Sequence, residues 1–155
     1  MEVLTTDIAY LLFGHSILYL SSIMDIYNGE IVTYKIGDKQ DLSLVNDTLN
    51  QIDIPEGCIL HSDQGSVYTS YAYYQLCEEK GIIRSMSRKG TPADNAPIES
   101  FHSSLKSETF YINNELNRSN HIVIDIVEKY IKNYNNRIQQ KLGYLSPVKY
   151  RELIA

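Results

Sequence analysis

The stretch from His61 to Lys106 constrains this chain most, because acids recur in it where the surrounding sequence is built to be buried. Asp63 follows the short apolar run Cys58-Ile59-Leu60, which reads as a buried strand ending at the acid. Open α/β sheets place their chemistry at that carboxyl edge. Glu99 comes later, with thirty-five residues between the two acids. It stands at the start of a predicted helix. Pro97 belongs in a first turn, where its missing N–H has no helical partner, so Asp94 or Asn95 is the expected N-cap. A third acid, Asp7, lies inside the first apolar strand. Three carboxylates on three elements point to a site for divalent cations. Each also has a plainer reading on its own: Asp63 as a turn residue, Glu99 as a solvated helix residue, Asp7 as a strand acid bonded to backbone.

The rest of the chain supplies a frame. Residues 3–12, 15–24 and 30–36 are rich in Ile, Leu, Val and Tyr and read as three strands, with Asn28-Gly29 as the turn before the third. Such short connections make an antiparallel meander. Asp41 caps a helix carrying Leu42, Val45 and Leu49; Ser70 caps another that runs to Lys80 and stops at Gly81. A short fifth strand begins at Ile82-Ile83, and residues 86–93 read as a loop. The spacing of Val123, Val127, Tyr130 and Tyr134 predicts a helix over residues 120–140, with Gly143 and Pro147 closing the helical pattern. The order is βββαβαβαα. That is an α/β chain with a five-stranded mixed sheet and helices on both faces, expected to form one domain over residues 1–155.

Charge sharpens the picture. The net charge of −5 argues against a nucleic-acid binder, but the charge is unevenly placed. Residues 1–83 hold twelve acids and three bases, a net of −9, and residues 84–155 hold seven acids and eleven bases, a net of +4. A basic half beside an acidic, cation-binding half suits DNA lying across the site. Cys58 and Cys77 form no CxxC pair, so they read as buried thiols of a reducing compartment. No run of eighteen apolar residues is present, which argues against a membrane span.

The segments HSDQG, SMSRKG, DNAPIESFHSSLKSE and YIKNYNNRIQQKLGYLSPVKYR, with the opening TTDIAY, resemble the catalytic core of bacterial transposases of insertion-sequence family three, which are of the retroviral-integrase type. The resemblance implies a ribonuclease-H-like fold. It implies metal-dependent DNA cleavage and strand transfer, with two Mg²⁺ (or Mn²⁺) ions held by Asp7, Asp63 and Glu99 and Asp7 bridging both. It also implies DNA partners, transposon ends and target, a homo-oligomer in the active complex, and action in the bacterial cytoplasm at the nucleoid. Lys106, seven residues after Glu99 and so on the same helical face, is expected to meet the DNA backbone. Arg88 and Lys89 are candidate phosphate contacts or a solvated loop. Asn95 is either a cap or a residue that orients a metal ligand, and His61 either sits by the site or packs at a strand end. His102, one turn from Glu99, stays open.

Three departures accompany the resemblance. The chain has no tryptophan, where the family carries one near the first aspartate; Ala9 follows Ile8, where the family has a second threonine; and Thr91-Pro92-Ala93 replaces a polar run. The opening directly on the first catalytic strand reads as an excised core or a truncated frame lacking the upstream DNA-recognition region. The competing expectation is a degenerate remnant that only binds DNA weakly or self-associates.

Overall fold

The computed structural model describes residues 2–88, 95–109 and 119–154; Lys89 and Asp94 lie outside them. Three antiparallel strands come first: β1 (Val3–Phe13), β2 (Ser16–Asp25) and β3 (Ile31–Gly37). They are followed by α1 (Leu42–Leu49), β4 (Ile59–Ser62), α2 (Tyr71–Glu79), β5 (Ile83–Met86), α3 (Ala96–Thr109), α4 (Asn120–Asn135) and α5 (Pro147–Ile154). The sheet order is β3-β2-β1-β4-β5. β1 is therefore central, antiparallel to β2 and parallel to β4, and the sheet is mixed as expected.

Local chemistry sets the element ends. The Asp41 carboxylate accepts from Leu44 N–H at the start of α1, and Ser70 Oγ accepts from Tyr73 N–H at the start of α2. Gly81 follows α2 at φ +68°, a conformation that glycine adopts without the Cβ penalty.

Pleating divides the core in two. On one face Leu4, Ile23 and Leu60 pack against Val45 and Leu49 of α1 and Tyr73 and Cys77 of α2. On the other, Ala9, Leu11, Leu18 and Leu20 pack against Ile98, Phe101 and Leu105 of α3 and Val123, Val127 and Ile131 of α4. The edge strand β3 is plugged by side chains. Asn135 pairs with both the N–H and the C=O of Ile31 at 2.9 and 3.0 Å, and Gln51 donates to the Tyr34 carbonyl at 2.9 Å.

The chain's end differs from the sequence reading. α4 stops at Asn135, and Pro147 opens α5 instead of closing a helical pattern. Proline is pre-set for a first helical position, and Ser146 Oγ caps the turn by accepting from Lys149 N–H. A bidentate pair from Arg151 to Glu30, at 2.8 and 3.2 Å, returns α5 to the turn before β3.

Phe101 is the packing centre of α3. It is fully buried, with its ring 4.8 Å from that of Tyr134. Phe101→Ala should destabilise the chain by about 3–5 kcal/mol, read as a lowered urea midpoint at unchanged slope.

Candidate functional site

The register of β1 on β4 builds the site. Val3, Leu4 and Thr5 lie opposite Ile59, Leu60 and His61. Continued by two residues, the same register sets Asp7 beside Asp63, just past the last residue of β4. Parallel partners point their side chains to the same face. Asp7 thus sits in the middle of the long central strand, at the point where its neighbour stops. Its side chain is 16% exposed.

A turn holds Asp63. Gly65 N–H donates to Asp63 Oδ1 at 2.9 Å, an Asx-type turn. A Cβ on Gly65 would lie 2.9 Å from the same oxygen, so only glycine lets the amide approach that closely without moving the carboxylate.

α3 brings the third acid. Asn95, Glu99, His102 and Lys106 are spaced by four, three and four residues, which places them on one face of the helix. Two of them dock that face onto β1. The buried Asn95 Oδ1 accepts from Thr5 Oγ1. His102 Nε2 lies 3.1 Å from Ser22 Oγ on β2, and its Nδ1 lies 3.6 Å from Asp7 Oδ2. Ser22 is the residue opposite Asp7 in the β1–β2 ladder. Glu99 stands between these two anchors on that face of α3.

Electrostatics reports that proximity. Burial raises the Glu99 carboxyl above its usual range, the charges of Asp7 and Asp63 raise it further, and His102 opposes them. Burial likewise raises Asp63, against the lowering effect of the Gly65 N–H, and Asp7 adds to the rise. Among the described residues no three His, Cys, Asp or Glu side chains stand close enough together to form a metal cage. Hard carboxylate oxygens with unrelieved repulsion are a donor set that suits Mg²⁺ or Mn²⁺.

The remaining sequence candidates divide. His61 shares the face of Asp63, and its ring nitrogens meet Ser85 Oγ and Ser87 Oγ, each at 2.9 Å, so it braces β4 against β5 beneath Asp63. Asn95 acts on the strand through Thr5 and not on a carboxylate directly, and its Nδ2 is buried without a partner among the described residues. Lys106 is half-buried and in no ion pair among the described residues. Arg88 is exposed beyond β5. Sequence reading missed Thr5, Ser22 and Gly65. The Asp-Gln-Gly turn carried a signal for Gly65; Thr5 and Ser22 need the sheet register to be seen.

Two models described as "Integrase core domain" match residues 1–92 and 80–147. The putative transposase InsK for insertion sequence element IS150 of Escherichia coli is 38% identical over 151 residues, covering 94% of this chain and 53% of the relative. An uncharacterized transposase-like protein of Haemophilus influenzae is 38% identical, covering 95% of this chain and 69% of its own length. The chain spans about half the length of the Escherichia coli relative. Among solved structures, the HTLV-2 integrase catalytic core domain in complex with magnesium superposes with TM-score 0.72 at 11% identity, covering 96% of this chain and 95% of that one. The BIV integrase core superposes with TM-score 0.69 at 17% identity, covering 99% and 95%. The fold is ribonuclease-H-like.

The site geometry yields a pH prediction. A carboxyl raised in the folded state binds its proton more tightly there than in the unfolded chain. Stability therefore falls as pH rises from the ordinary aspartate value through the raised one. Asp63→Asn removes that ionisation while keeping an oxygen for the Gly65 N–H. In EDTA the variant should lose less melting temperature across that window than the wild type, and above it should be at least as stable. Adding Mg²⁺ should raise the wild-type melting temperature and leave the variant unmoved. An equal metal shift in both would remove Asp63 from the site.

Proposed function

The chain belongs to the integrase core domain family, and from that membership we propose that it is a transposase catalytic core that cuts and joins DNA strands by metal-dependent phosphodiester transfer. The observation supporting the reading is that Asp7 of β1 and Asp63, just past β4, line one cleft, while Glu99 of α3 lies near enough for both charges to raise its carboxyl. Burial together with like charge at Asp63 and Glu99 is what a site completed by cations would relieve. Asp7, Asp63 and Glu99 would hold them. When bound, a pair of such ions clamps an in-line displacement, neutralising the phosphate and stabilising the attacking and leaving oxygens.

The chain's own residues do the rest. Gly65 N–H fixes one oxygen of Asp63 and leaves the other to face the cleft. Ser22 and His102 orient Asp7. The polar hydrogen on His102 belongs on Nδ1, toward the Asp7 carboxylate, because Ser22 can then donate its hydroxyl proton to Nε2. Lys106, one face of α3 along from Glu99 and about 10.5 Å further down the axis, suits a phosphate one step from the reacting one. The retention of all three acids, with the residues that seat them, favours an active core over a remnant. DNA ends and target DNA are the partners this reading requires, with further copies of the chain in the active assembly.

Two experiments test it. Asp7→Asn, Asp63→Asn and Glu99→Gln should each abolish Mg²⁺- or Mn²⁺-dependent nicking of labelled duplex DNA while preserving the circular dichroism spectrum; retained nicking in any one would strike that residue from the triad. Lys106→Ala should leave the metal-induced melting shift intact, weaken DNA binding for every sequence, and shrink the salt slope by about one unit. An unchanged slope with unchanged affinity would return Lys106 to the solvated surface.

A further inference from the structure

The cleft that holds Asp7 and Asp63 has a second wall with no part in metal chemistry. It is about 350 Å³ and is also lined by Ile8, Tyr10, Gln40, Val67 and Tyr68. That volume is near the small end of ligand-sized clefts, about 300 Å³, and is room for one planar group, not for a duplex.

The wall exists because β1 outruns its cover. Thr6, Ile8, Tyr10 and Leu12 share the face that α1 and α2 protect. Along it exposure climbs from 1% at Thr6 to 49% at Tyr10 and 68% at Leu12. Tyr10 meets Tyr19 edge-to-face, with centroids 5.5 Å apart at 78°. Its hydroxyl has no hydrogen-bond partner among the described residues. An exposed ring, held on one side by Tyr19, thus stands three residues along the strand from Asp7, in the same cleft.

Resting on the functional reading above, we infer that Tyr10 is a base-stacking subsite for the nucleotide next to the reacting phosphate. With the phosphate set by the carboxylates, the attached base has to lie within one nucleotide of it, and among the described residues this wall offers an exposed aromatic surface in the same cleft. Every base has a π-face, so such a platform seats a nucleotide without reading its identity. Base unpairing at a DNA end would let one base leave the stack and enter. Another exposed tyrosine pair fits this role less well. Tyr71 and Tyr74 stack on each other, Arg84 lies over Tyr74 at 5.1 Å, and they line a separate cleft without carboxylates.

The test uses the chain with a DNA duplex ending in a single unpaired 3′ 2-aminopurine, whose fluorescence is quenched when it stacks. Wild type should bind and quench it in a Mg²⁺-dependent way. Tyr10→Ala should lose the quenching and about tenfold in affinity, whereas Tyr10→Phe and Tyr71→Ala should behave as wild type. An abasic terminal residue should weaken wild-type binding by a similar factor and leave Tyr10→Ala unmoved. Mg²⁺-dependent binding that ignores Tyr10 would overturn this inference alone. So would a Tyr10→Ala variant that changes self-association by sedimentation but binds the duplex normally, since the wall would then be a protein contact. Binding indifferent to both Mg²⁺ and Asp63→Asn would overturn the functional reading, and this inference with it.

Discussion

The cleft depends on the parallel pairing of β1 with β4, and on that pairing stopping early. The ladder covers only three residues of β1, Val3 to Thr5, although β1 runs to Phe13. Were β4 longer, Asp7 and Asp63 would become one more buried rung, and two adjacent carboxylates in a sheet interior would be strongly unfavourable. Because β4 ends at Ser62, the same register delivers both acids to water together. The Asx turn at Asp63 and the His61 contacts to Ser85 and Ser87 keep the strand end from fraying out of that register.

A second acid-bearing element has to approach this pair against charge repulsion, and neutral contacts hold it there. Asn95 to Thr5 and His102 to Ser22 pin α3 on either side of Glu99, while Ile98, Phe101 and Leu105 anchor its apolar face in the core. Apolar burial at about 25 cal/mol per Å² outweighs the repulsion of partly solvated carboxylates, so the raised carboxyl groups persist in the folded chain. The site is held ready by packing and is destabilising to itself. On that division, the acids should tolerate replacement by neutral amides without unfolding, whereas the loss of a ring beneath α3 should be felt throughout.

Much of this was legible in the sequence because it is local. The caps at Asp41 and Ser70, the turn at Asn28-Gly29, the stop at Gly81 and the first-turn position of Pro97 all follow from backbone chemistry within a few residues. Asp7, Asp63 and Glu99 stood out as acids misplaced in apolar or ordered sequence. What escaped depends on pairing between distant segments. Ser22 becomes meaningful only as the residue opposite Asp7, Thr5 only as the partner of Asn95, and His61 turned out to serve β5. The end of the chain was misread for a different reason: Pro147 is a helix breaker or a helix starter according to what precedes it, and Ser146 decides the matter as a cap.

One geometric fact ties the two walls of the cleft together. A strand alternates its side chains, so Thr5, Asp7 and Ala9 face α3 while Thr6, Ile8 and Tyr10 face α1 and α2. In the covered part of the sheet these faces never meet. Past the end of β4, β1 is open at its flank, and the two faces are joined around its exposed edge. At this point along β1, among the described residues, carboxylates that a cation could bridge to a phosphate and an aromatic ring suited to a base share one cleft. A one-residue slip of β1 against β4 would exchange the two faces, setting Ile8 beside Asp63 and turning Asp7 toward the helices α1 and α2. Register, more than the identity of any single residue, is what sets carboxylates and an aromatic ring on two walls of one cleft.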